Sequence, residues 1–391
     1  MIHVFINALS ASAGGGLTYI RNVLPRLAYR EGVRTTLLVG ETLRNEISES
    51  AQVKVLKEDY PGGSGRRFWY EQRHLPGMIR QSGANVLLST GNFALCHSPV
   101  PQILLSRNAL YTSTDFLRDM RDRGDYRLWI DTEMKGALAR WSVYVADCTV
   151  APSATFAAEL RRWTGREVES IHHGFDHEAF LQGQASLPQG VQTQLDATGS
   201  ALRVLFVSHY NYYRNFETLI RATALLKKRL RPRGVRLTLT CKLASKDNPG
   251  TYQADKAAEL VRQLKLNEDV IELGAVPYAA LHHLYRSCDV YATAAYAETF
   301  AHPLVEAMAS GLPVIASDLP VHREICGEAA AYFPRFAPEV LSERIMQVCE
   351  SDERRAAMRE MGMARSQNFS WDKHVEDLLR LAGRLANNIE A

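Results

Sequence analysis

Short apolar runs alternate along the chain with stretches in which apolar residues recur every three or four positions. The runs predict buried strands, and a first series lies at residues 4–6, 35–40, 85–90, 102–106 and 148–151. A second series follows residue 200, at 204–207, 237–241, 270–273, 290–293 and 314–316. Stretches with helical spacing lie between the runs, as at 128–144 and 216–226. Two successive series of alternating strands and helices predict two doubly wound α/β domains.

A change of composition separates the two series. Residues 175–200 are rich in Gln, Gly, Ser and Ala, which is typical of a linker. We therefore expect a first domain over residues 1–178 and a second domain over residues 200–370. A helical stretch rich in Leu and Arg, about 371–391, is predicted to cross back onto the first domain. A ligand is expected in the cleft between two such domains.

The most informative stretch is 290–317, which predicts the order strand, loop, helix, strand. Pro303 suits the first turn of the helix, and Gly311 suits the position just past its end. Glu298 lies in the loop and Glu306 in the helix. The unpaired N–H groups at the helix N-terminus suit a phosphate, whereas the two carboxylates suit sugar hydroxyls. The spacing alone is equally compatible with an ordinary βαβ crossover that carries surface glutamates.

Other candidate contacts follow the ends of predicted strands, where α/β sheets bind ligands. Residues 14–16 are three glycines between the first strand and the first helix, which would let the backbone approach a phosphate. They do not match G-x-G-x-x-G, so a flexible turn remains the alternative. In the first series the polar candidates are Asn92 and His97, and in the second they are Ser208, His209, Arg214 and Lys242.

Residues 66–80 combine arginines with bulky aromatic residues beside a glycine-rich loop at 61–65. One interpretation is a surface helix with one buried aromatic side. The other is a contact with an acceptor or with a membrane surface, because Arg, Trp and Tyr suit anionic head groups. The sequence leaves both interpretations open.

The composition narrows the classes of function. The chain has 391 residues, 46% of them hydrophobic, and a formal net charge of +3, which favours a two-domain globular protein without a nucleic-acid partner. The six cysteines include no C-x-x-C pair, which argues against a zinc ribbon or a disulfide framework. The chain opens on a strand where a secreted protein has a leader, and no apolar run approaches about 20 residues. We therefore expect a cytoplasmic protein.

The candidate residues of the second series together suit a nucleotide-diphosphate sugar. Arg214, Lys242 and a helix N-terminus can neutralise a diphosphate, and the two glutamates can hold ribose or sugar hydroxyls. No Asp-x-Asp pair is present to bind a divalent metal. We therefore expect neither a metal nor a cofactor, with cations and dipoles stabilising the leaving diphosphate.

These motifs resemble the signature of the retaining family 4 glycosyltransferases (glycosyl transferases group 1), which have the GT-B fold of two Rossmann-like domains. The principal match is Glu298-x7-Glu306 followed by AMASGLPVIAS at 307–317. Further matches lie along nearly the whole chain, at 14–16, 151–153, 172–176, 214–215, 274–277 and 322–330.

The resemblance implies how a donor would be held. Gly15 and Gly16 would let the backbone approach the donor phosphate, Arg214 would bind the diphosphate, and Glu306 would bind the ribose hydroxyls. The backbone N–H groups of Phe300 and Ala301 would face the sugar or the diphosphate. The full set of implied donor-binding residues is Gly15, Gly16, Ser208, His209, Arg214, Lys242, Phe300, Ala301, His302 and Glu306.

The resemblance also implies three catalytic residues, Glu298, His97 and Arg214. Glu298 would lie near the transferred sugar, and His97 is the best match to a histidine at the reaction centre. The chain departs from the family at Ser208-His209, where the family has Gly-Arg, so Lys242 or His209 would have to replace one phosphate cation. Arg214 itself stands where the family usually has a lysine.

The function implied by the resemblance is a retaining, metal-independent hexosyltransferase that acts by front-face attack. It would move a hexose from UDP-glucose, or from GDP-mannose as the second choice, to a saccharide or lipid-linked acceptor in cell-surface polysaccharide synthesis. Thr299 and Ala301 replace glycines of the family and add bulk near the sugar, which bears on the choice of donor. Two alternatives stay open: a nucleotide-sugar epimerase of the same fold, and a sugar-nucleotide binding protein without activity.

Overall fold

The computed structural model describes residues 1–12, 14–58, 62–183, 185–248, 250 and 252–387. Pro61 of the glycine-rich loop, Gln184 of the predicted linker and residues 388–391 of the predicted C-terminal helix lie outside the described residues. The chain divides into two compact units. The first unit comprises Met1–Thr112, Ile130–Gly174 and Phe369–Ala391, and the second comprises Ser113–Trp129 and Phe175–Asn368.

Each unit contains one parallel sheet. The described strands of the first sheet are β1 (Ile2–Asn7), β2 (Val33–Val39), β3 (Val53–Lys57), β4 (Val86–Ser89), β5 (Gln102–Leu105), β6 (Cys148–Ala151) and β7 (Glu169–Ser170), in the order β3-β2-β1-β4-β5-β6-β7. Those of the second sheet are β8 (Leu202–Phe206), β9 (Val235–Leu239), β10 (Val270–Glu272), β11 (Val290–Thr293), β12 (Val314–Ser317) and β13 (Ala330–Phe333), in the order β10-β9-β8-β11-β12-β13.

Helices alternate with these strands, as a parallel sheet requires. In chain order they are α1 (Gly15–Ala28), α2 (Ser64–Ser82), α3 (Thr114–Asp122), α4 (Tyr126–Val145), α5 (Ala154–Thr164), α6 (His177–Leu181), α7 (Gln189–Asp196), α8 (Phe216–Arg229), α9 (Asp255–Gln263), α10 (Leu281–Arg286), α11 (His302–Ala309), α12 (Pro320–Cys326), α13 (Pro338–Cys349), α14 (Asp352–Ser366) and α15 (Trp371–Asn387). The predicted α/β class with two doubly wound sheets is confirmed.

The strands inside both sheets are buried over most of their length. β4, β5, β11 and β12 are buried at every residue, which is why each reads as a continuous apolar run. β3 lies at an edge of its sheet and alternates buried Val with Lys, so it presents no such run. β13 is an edge strand of the second sheet and is only partly buried. Neither edge strand was predicted from the sequence.

Two stretches of the second unit differ from what composition indicated. Residues 175–200, predicted as a linker, contain α6 and α7, whose apolar residues Phe180, Val191 and Leu195 are buried. Residues Ser113–Trp129 come from between β5 and β6 of the first sheet, yet they fold with the second unit. Local composition does not record such burial, because the partner residues lie far away in the sequence.

Helix α15 completes the core of the first unit. Trp371, Val375 and Leu378 are buried in the same cluster as residues of α1 and β1. His374 contributes polar contacts, with Nε2 at 3.0 Å from Tyr19 Oη and Nδ1 at 2.8 Å from the carbonyl oxygen of His172. The start of α15 passes so close to Gly174 that a Cβ there would overlap the backbone N and Cα of Trp371.

We expect Gly174→Ala to destabilise the first unit, because the added methyl group must displace backbone atoms. The free energy of unfolding should fall by about 2 kcal/mol or more, as measured by urea denaturation. Gly77→Ala is the matched control, since Gly77 lies in α2 with no atom within 4 Å of an added Cβ. That control should be neutral or slightly stabilising. Equal effects of the two substitutions would contradict the close approach at Gly174.

Candidate functional site

The candidate site of the second unit is built from loops that follow adjacent strands. β8 pairs with β9 on one side and with β11 on the other, and β11 pairs with β12. The strand order reverses at β8, and the carboxyl ends at such a switch point are where open α/β sheets bind ligands. The loop after β8 carries Ser208 to Arg214, the loop after β11 carries Glu298, and the connection after β12 leads to His322. Candidates that are far apart in the sequence therefore lie in loops at the carboxyl end of the same sheet.

An ion pair joins two of these loops. Nη1 of Arg214 donates a hydrogen bond to Oε2 of Glu298, and the two side chains are 19% and 10% exposed. The backbone N–H of Thr299 donates to Oε1 of Glu298 at 3.0 Å. Burial by itself would raise the pKa of Glu298, but the charge of Arg214 holds it below its usual value. Glu298 is therefore a carboxylate in the folded protein.

The local backbone explains why the two loops meet. Arg214 ends a short 3-10 turn, and Asn215 then adopts a left-handed conformation with φ of 53°, which Asn tolerates better than most residues. The side-chain amide of Asn215 donates to the carbonyl oxygens of Ala294, at 3.1 Å, and of Arg335, at 2.6 Å. The N–H of Tyr296 also donates to the carbonyl oxygen of Tyr213 at 2.9 Å. Arg214 is thus held opposite Glu298 by main-chain contacts on both sides.

His322 is a functional candidate to which the sequence assigned no role. It is fully buried at the start of α12, and Nδ1 lies 2.9 Å from the carbonyl oxygen of Ser317. A carbonyl oxygen only accepts, so this contact places the proton on Nδ1 and leaves Nε2 as an acceptor. Nε2 is buried without a hydrogen-bond partner in the described part of the chain. Burial lowers the pKa of His322, while the charge of Glu298 opposes the shift.

Glu306 lies in a different environment from Glu298. It is 6% exposed on α11, and its Oε2 accepts a hydrogen bond of 2.8 Å from Tyr285 Oη. Burial raises the pKa of Glu306 to about 7, and the hydrogen bond from Tyr285 offsets only part of that shift. Tyr285 belongs to α10 and follows no motif, so the sequence offered no signal for it. One buried glutamate is held ionised, and the other is poised near neutral pH.

The N-terminus of α11 adjoins these carboxylates. Ala301 precedes the helix with φ of 66°, the left-handed region that glycine enters freely. Phe300 and Ala301 are 1% and 7% exposed, and the rings of Phe300 and His302 lie 4.9 Å apart. Pro303 lies in the first helical turn, and Gly311 has φ of 70° just past the last, as predicted. The first N–H groups of α11 therefore follow Glu298 within a few residues of the chain.

The remaining donor-side candidates also lie at the carboxyl end of this sheet. The N–H of Ser208 donates to Thr240 Oγ1 at 3.0 Å, and Ser208 Oγ donates to the carbonyl oxygen of His209 at 2.8 Å. Lys242 is exposed, and its Nζ donates to the carbonyl oxygen of Glu272 at the end of β10. β9 separates β10 from β8 in the sheet. The ammonium of Lys242 thus contacts the end of β10, whereas Arg214 lies in the loop after β8.

In the first unit, the glycine loop is closed by an arginine that sequence reasoning did not single out. Arg107 donates from Nη1 to the carbonyl oxygen of Gly15 at 3.2 Å and from Nη2 to that of Thr90 at 2.8 Å. A Cβ on Gly16 would lie 3.2 Å from Cα of Ala11, so glycine suits this close approach. Gly16 is therefore the closely packed glycine at the start of α1, while Gly14 and Gly15 are exposed.

The other first-unit candidates lie in the loop between β4 and β5. His97 is exposed there. Asn92 has φ of 64°, and its Oδ1 accepts a 2.6 Å hydrogen bond from the N–H of Arg107. Asn92 therefore supports the glycine-loop arginine, while the imidazole of His97 faces solvent.

Residues 66–80 form most of α2, a helix with one buried and one open side. Arg67 is 13% exposed and pairs with Glu71 at 3.4 Å, while Leu75 is fully buried. Arg66, Trp69 and Arg73 are exposed at helical spacing, Trp69 by 73%. None of the described helices combines the length and the apolar character that a membrane span requires.

Comparison with known proteins relates these features to a family. Residues 193–365 match the family model described as glycosyl transferases group 1. A D-inositol 3-phosphate glycosyltransferase from Corynebacterium aurimucosum is 29% identical over 206 residues, which are 51% of this chain and 47% of that protein. The chain thus matches about half the length of that curated relative.

Solved structures with the same fold cover nearly the whole chain. A sucrose-phosphate synthase from Thermosynechococcus elongatus has a TM-score of 0.77 at 18% identity and covers 98% of this chain and 99% of its own. Anabaena HepE in complex with UDP-glucose has a TM-score of 0.70 at 16% identity, with coverage of 98% and 100%. The GT-B fold expected from the sequence is confirmed.

The raised pKa of Glu306 predicts a dependence of stability on pH. The unfolded chain releases this proton near 4.5 and the folded chain near 7, so the unfolded state binds fewer protons between these values and stability falls as the pH rises. Glu306→Gln removes that loss. The free energy of unfolding of the variant minus that of wild type should therefore be about 2–3 kcal/mol higher at pH 8 than at pH 5.

Urea denaturation at the two pH values measures this difference. Glu343→Gln is the control, because Glu343 is exposed on α13. A relative stability of Glu306→Gln that does not change with pH would show that Glu306 is ionised throughout.

We expect Arg214→Met to destabilise the fold strongly, because it leaves the buried carboxylate of Glu298 without its counter-ion. The loss should be about 3–5 kcal/mol, and adding Glu298→Gln should restore part of it. Arg323→Met is the control, since the pair of Arg323 with Asp318 is 55% and 44% exposed and should contribute about 1 kcal/mol or less. Comparable losses for the two arginines in urea denaturation would contradict the special burial of the Arg214 pair.

Proposed function

We propose that the chain is a hexosyltransferase that uses a nucleotide-diphosphate sugar, since residues 193–365 match the glycosyl transferases group 1 model and the chain has the GT-B fold. The observation that carries the proposal is the pair of buried glutamates at the switch point of the second sheet. Glu298 is ionised against Arg214, and Glu306 is poised against Tyr285. Two carboxylates beside a cation and a helix N-terminus suit a ligand that carries both hydroxyls and phosphates.

Glu306 is assigned to the ribose of the donor. Tyr285 Oη already donates to Oε2, so Oε1 can accept from a ribose hydroxyl. Hydroxyl donors favour the ionised carboxylate, so donor binding would lower the pKa of Glu306 from its raised value. UDP-glucose is the first donor proposed, and GDP-mannose the second. The fold shared with Anabaena HepE, a protein that binds UDP-glucose, supports that order.

Arg214 and the start of α11 are assigned to the diphosphate. The guanidinium uses Nη1 for Glu298 and its side chain is 19% exposed, so further N–H groups remain for phosphate oxygens. The N–H groups of Phe300 and Ala301 precede the helix, whose N-terminal end favours an anion. Ser208 brings no cation, and we propose that Lys242 or His209 supplies the second one.

The reaction proposed is transfer with retention and without a metal. The bond between the anomeric carbon and the diphosphate oxygen breaks while the acceptor oxygen bonds to the same carbon from the same face. The acceptor proton passes to the leaving phosphate, and Arg214 stabilises the negative charge that the phosphate gains. The carboxylate of Glu298 steadies the positive charge that develops at the anomeric carbon.

The acceptor is assigned to the first unit. We propose a saccharide or lipid-linked saccharide of a cell-surface polysaccharide pathway, with His97 near the reaction centre. The exposed residues Arg66, Trp69 and Arg73 of α2 would provide a peripheral contact with the inner face of the plasma membrane. The chain itself is proposed to be cytoplasmic.

We expect Glu306→Ala to weaken donor binding by about tenfold or more, because it removes the hydrogen-bond acceptor of the ribose. The measurement is a thermal-shift titration with UDP and GDP, since a ligand that binds only the folded state raises its apparent stability. Turnover of UDP-glucose and GDP-mannose is then followed with product analysis. Glu343→Ala is the control, as an exposed glutamate of the same unit.

The outcomes separate the proposal from its rivals. Near-normal binding and turnover by Glu306→Ala would overturn the assignment of the site. Conversion of the nucleotide sugar without an acceptor would identify an epimerase, and binding without turnover on any acceptor would identify a binding protein.

A further inference from the structure

Residues 113–129, here termed the α3 arm, come from the first series of strands but fold with the second unit. Phe116 and Met120 anchor the arm, since both are fully buried. The ring of Phe116 lies 6.2 Å from that of Tyr213, the residue before Arg214. The arm therefore packs against the loop that carries the central cation of the proposed site.

The arm also contacts the loop that carries Glu298. Tyr296 lies two residues before Glu298, and its Oη donates a 2.6 Å hydrogen bond to Oδ2 of Asp119. One turn earlier, Asp115 accepts a 2.7 Å hydrogen bond from Nε of Arg335, whose carbonyl oxygen accepts from Asn215. The acidic face of α3 is thus joined to the segments that position the ion pair.

The second oxygen of the same carboxylate leads back to the first loop. Nε of Arg123 donates to Oδ1 of Asp119 at 2.7 Å, and Nη1 of Arg123 lies 2.9 Å from Glu217 at the start of α8. The guanidinium stacks on the ring of Tyr212 at 4.3 Å, and Tyr212 Oη donates to Asp125 at 3.1 Å. Asp119 therefore bridges the two loops, through Tyr296 on one side and through Arg123 on the other.

The environment gives this bridge strength. The side chains of Asp119 and Arg123 are only 23% and 14% exposed, so their charge-assisted hydrogen bonds are better shielded from water than surface pairs. Two loops held by the same carboxylate cannot move apart without breaking such a bond. The relative position of Arg214 and Glu298 therefore depends on a residue that comes from outside the second series of strands.

We propose that Asp119 is a positioning residue for the proposed transfer reaction, which it serves by holding the loops of Arg214 and Glu298 in register through Arg123 and Tyr296. The expected effect on turnover rests on the proposed function. The expected effect on the loops rests on the contacts alone. Asp119 itself touches neither the ion pair nor Glu306 through any hydrogen bond of the described residues. Turnover needs Arg214 and Glu298 in register, whereas Glu306 also holds the nucleotide. Removal of Asp119 should therefore impair turnover more than nucleotide binding.

The test compares Asp119→Ala with Asp122→Ala, which removes an exposed carboxylate from the same helix. Amide hydrogen exchange is measured across the full-length protein. In Asp119→Ala, segments 210–217 and 296–301 should exchange about tenfold faster or more, while the strands of both sheets stay protected. In Asp122→Ala both segments should exchange as in wild type. Exchange in Asp119→Ala that is unchanged, or faster throughout the chain, would overturn the proposal.

Kinetics provide the second readout, corrected for the folded fraction. Asp119→Ala should lower kcat for sugar transfer by about tenfold or more, with an affinity for the nucleoside diphosphate within about threefold of wild type. Equal losses in kcat and in nucleotide affinity would indicate a general structural role and overturn the proposal. Should Asp119→Ala not fold, Tyr296→Phe removes one hydroxyl of the bridge and should accelerate exchange in segment 296–301.

The two hypotheses fail in different ways. A wild-type protein that binds no nucleotide sugar would contradict the proposed function, while the exchange experiment would still decide whether Asp119 holds the loops. A double-mutant comparison of Asp119→Ala and Tyr296→Phe should show effects that do not add, since both remove the same hydrogen bond. Additive effects would show that the two residues act separately.

Discussion

The ion pair of Arg214 with Glu298 is the interaction on which the site of the second unit depends. Both side chains lose most of their hydration, and each charge is stable in that position only because the other is present. The pairing requires the loop after β8 to meet the loop after β11, which is possible because β8 and β11 are neighbours at the switch point of the sheet. Asn215 then fixes the place of contact through its amide. The sheet order is thus the condition for the chemistry of the site.

The same constraint separates the two glutamates into different roles. Glu298 lies in a loop where it meets a guanidinium, and its pKa is lowered. Glu306 lies inside α11, where the described residues give its carboxylate one side-chain hydrogen bond, from Tyr285, and burial raises its pKa. A sequence motif records two identical residues at a fixed spacing. Their environments make Glu298 a permanent charge and raise the pKa of Glu306 towards neutral pH. Under the proposed function, the first suits a developing positive charge and the second a charge that responds to the donor.

A feature could be predicted from the sequence when the residues that determine it lie close together along the chain. The elements β11, α11 and β12 were predicted nearly to the residue, because apolar runs, Pro303 and Gly311 act within a few positions. The edge strands β3 and β13 were missed. β3 alternates Val with Lys and so forms no apolar run, whereas the short apolar run of β13 was not assigned to a strand. Tyr285, His322 and the α3 arm could not be predicted either, because their importance arises from contacts with residues remote in the sequence.

Ala301 shows what a departure from the family pattern changes and what it preserves. The resemblance implies a glycine at this position, and the backbone of Ala301 keeps the left-handed conformation that glycine adopts freely. An alanine there costs about 1–2 kcal/mol, which the burial of Phe300 and the helical first turn at Pro303 help to offset. Because the conformation is kept, the backbone enters α11 along the course that a glycine would give it. The added methyl group, together with Thr299, then acts on the shape of the space beside Glu298. Under the proposed function, these two residues therefore bear on which sugar fits, while the means of holding its diphosphate is unchanged.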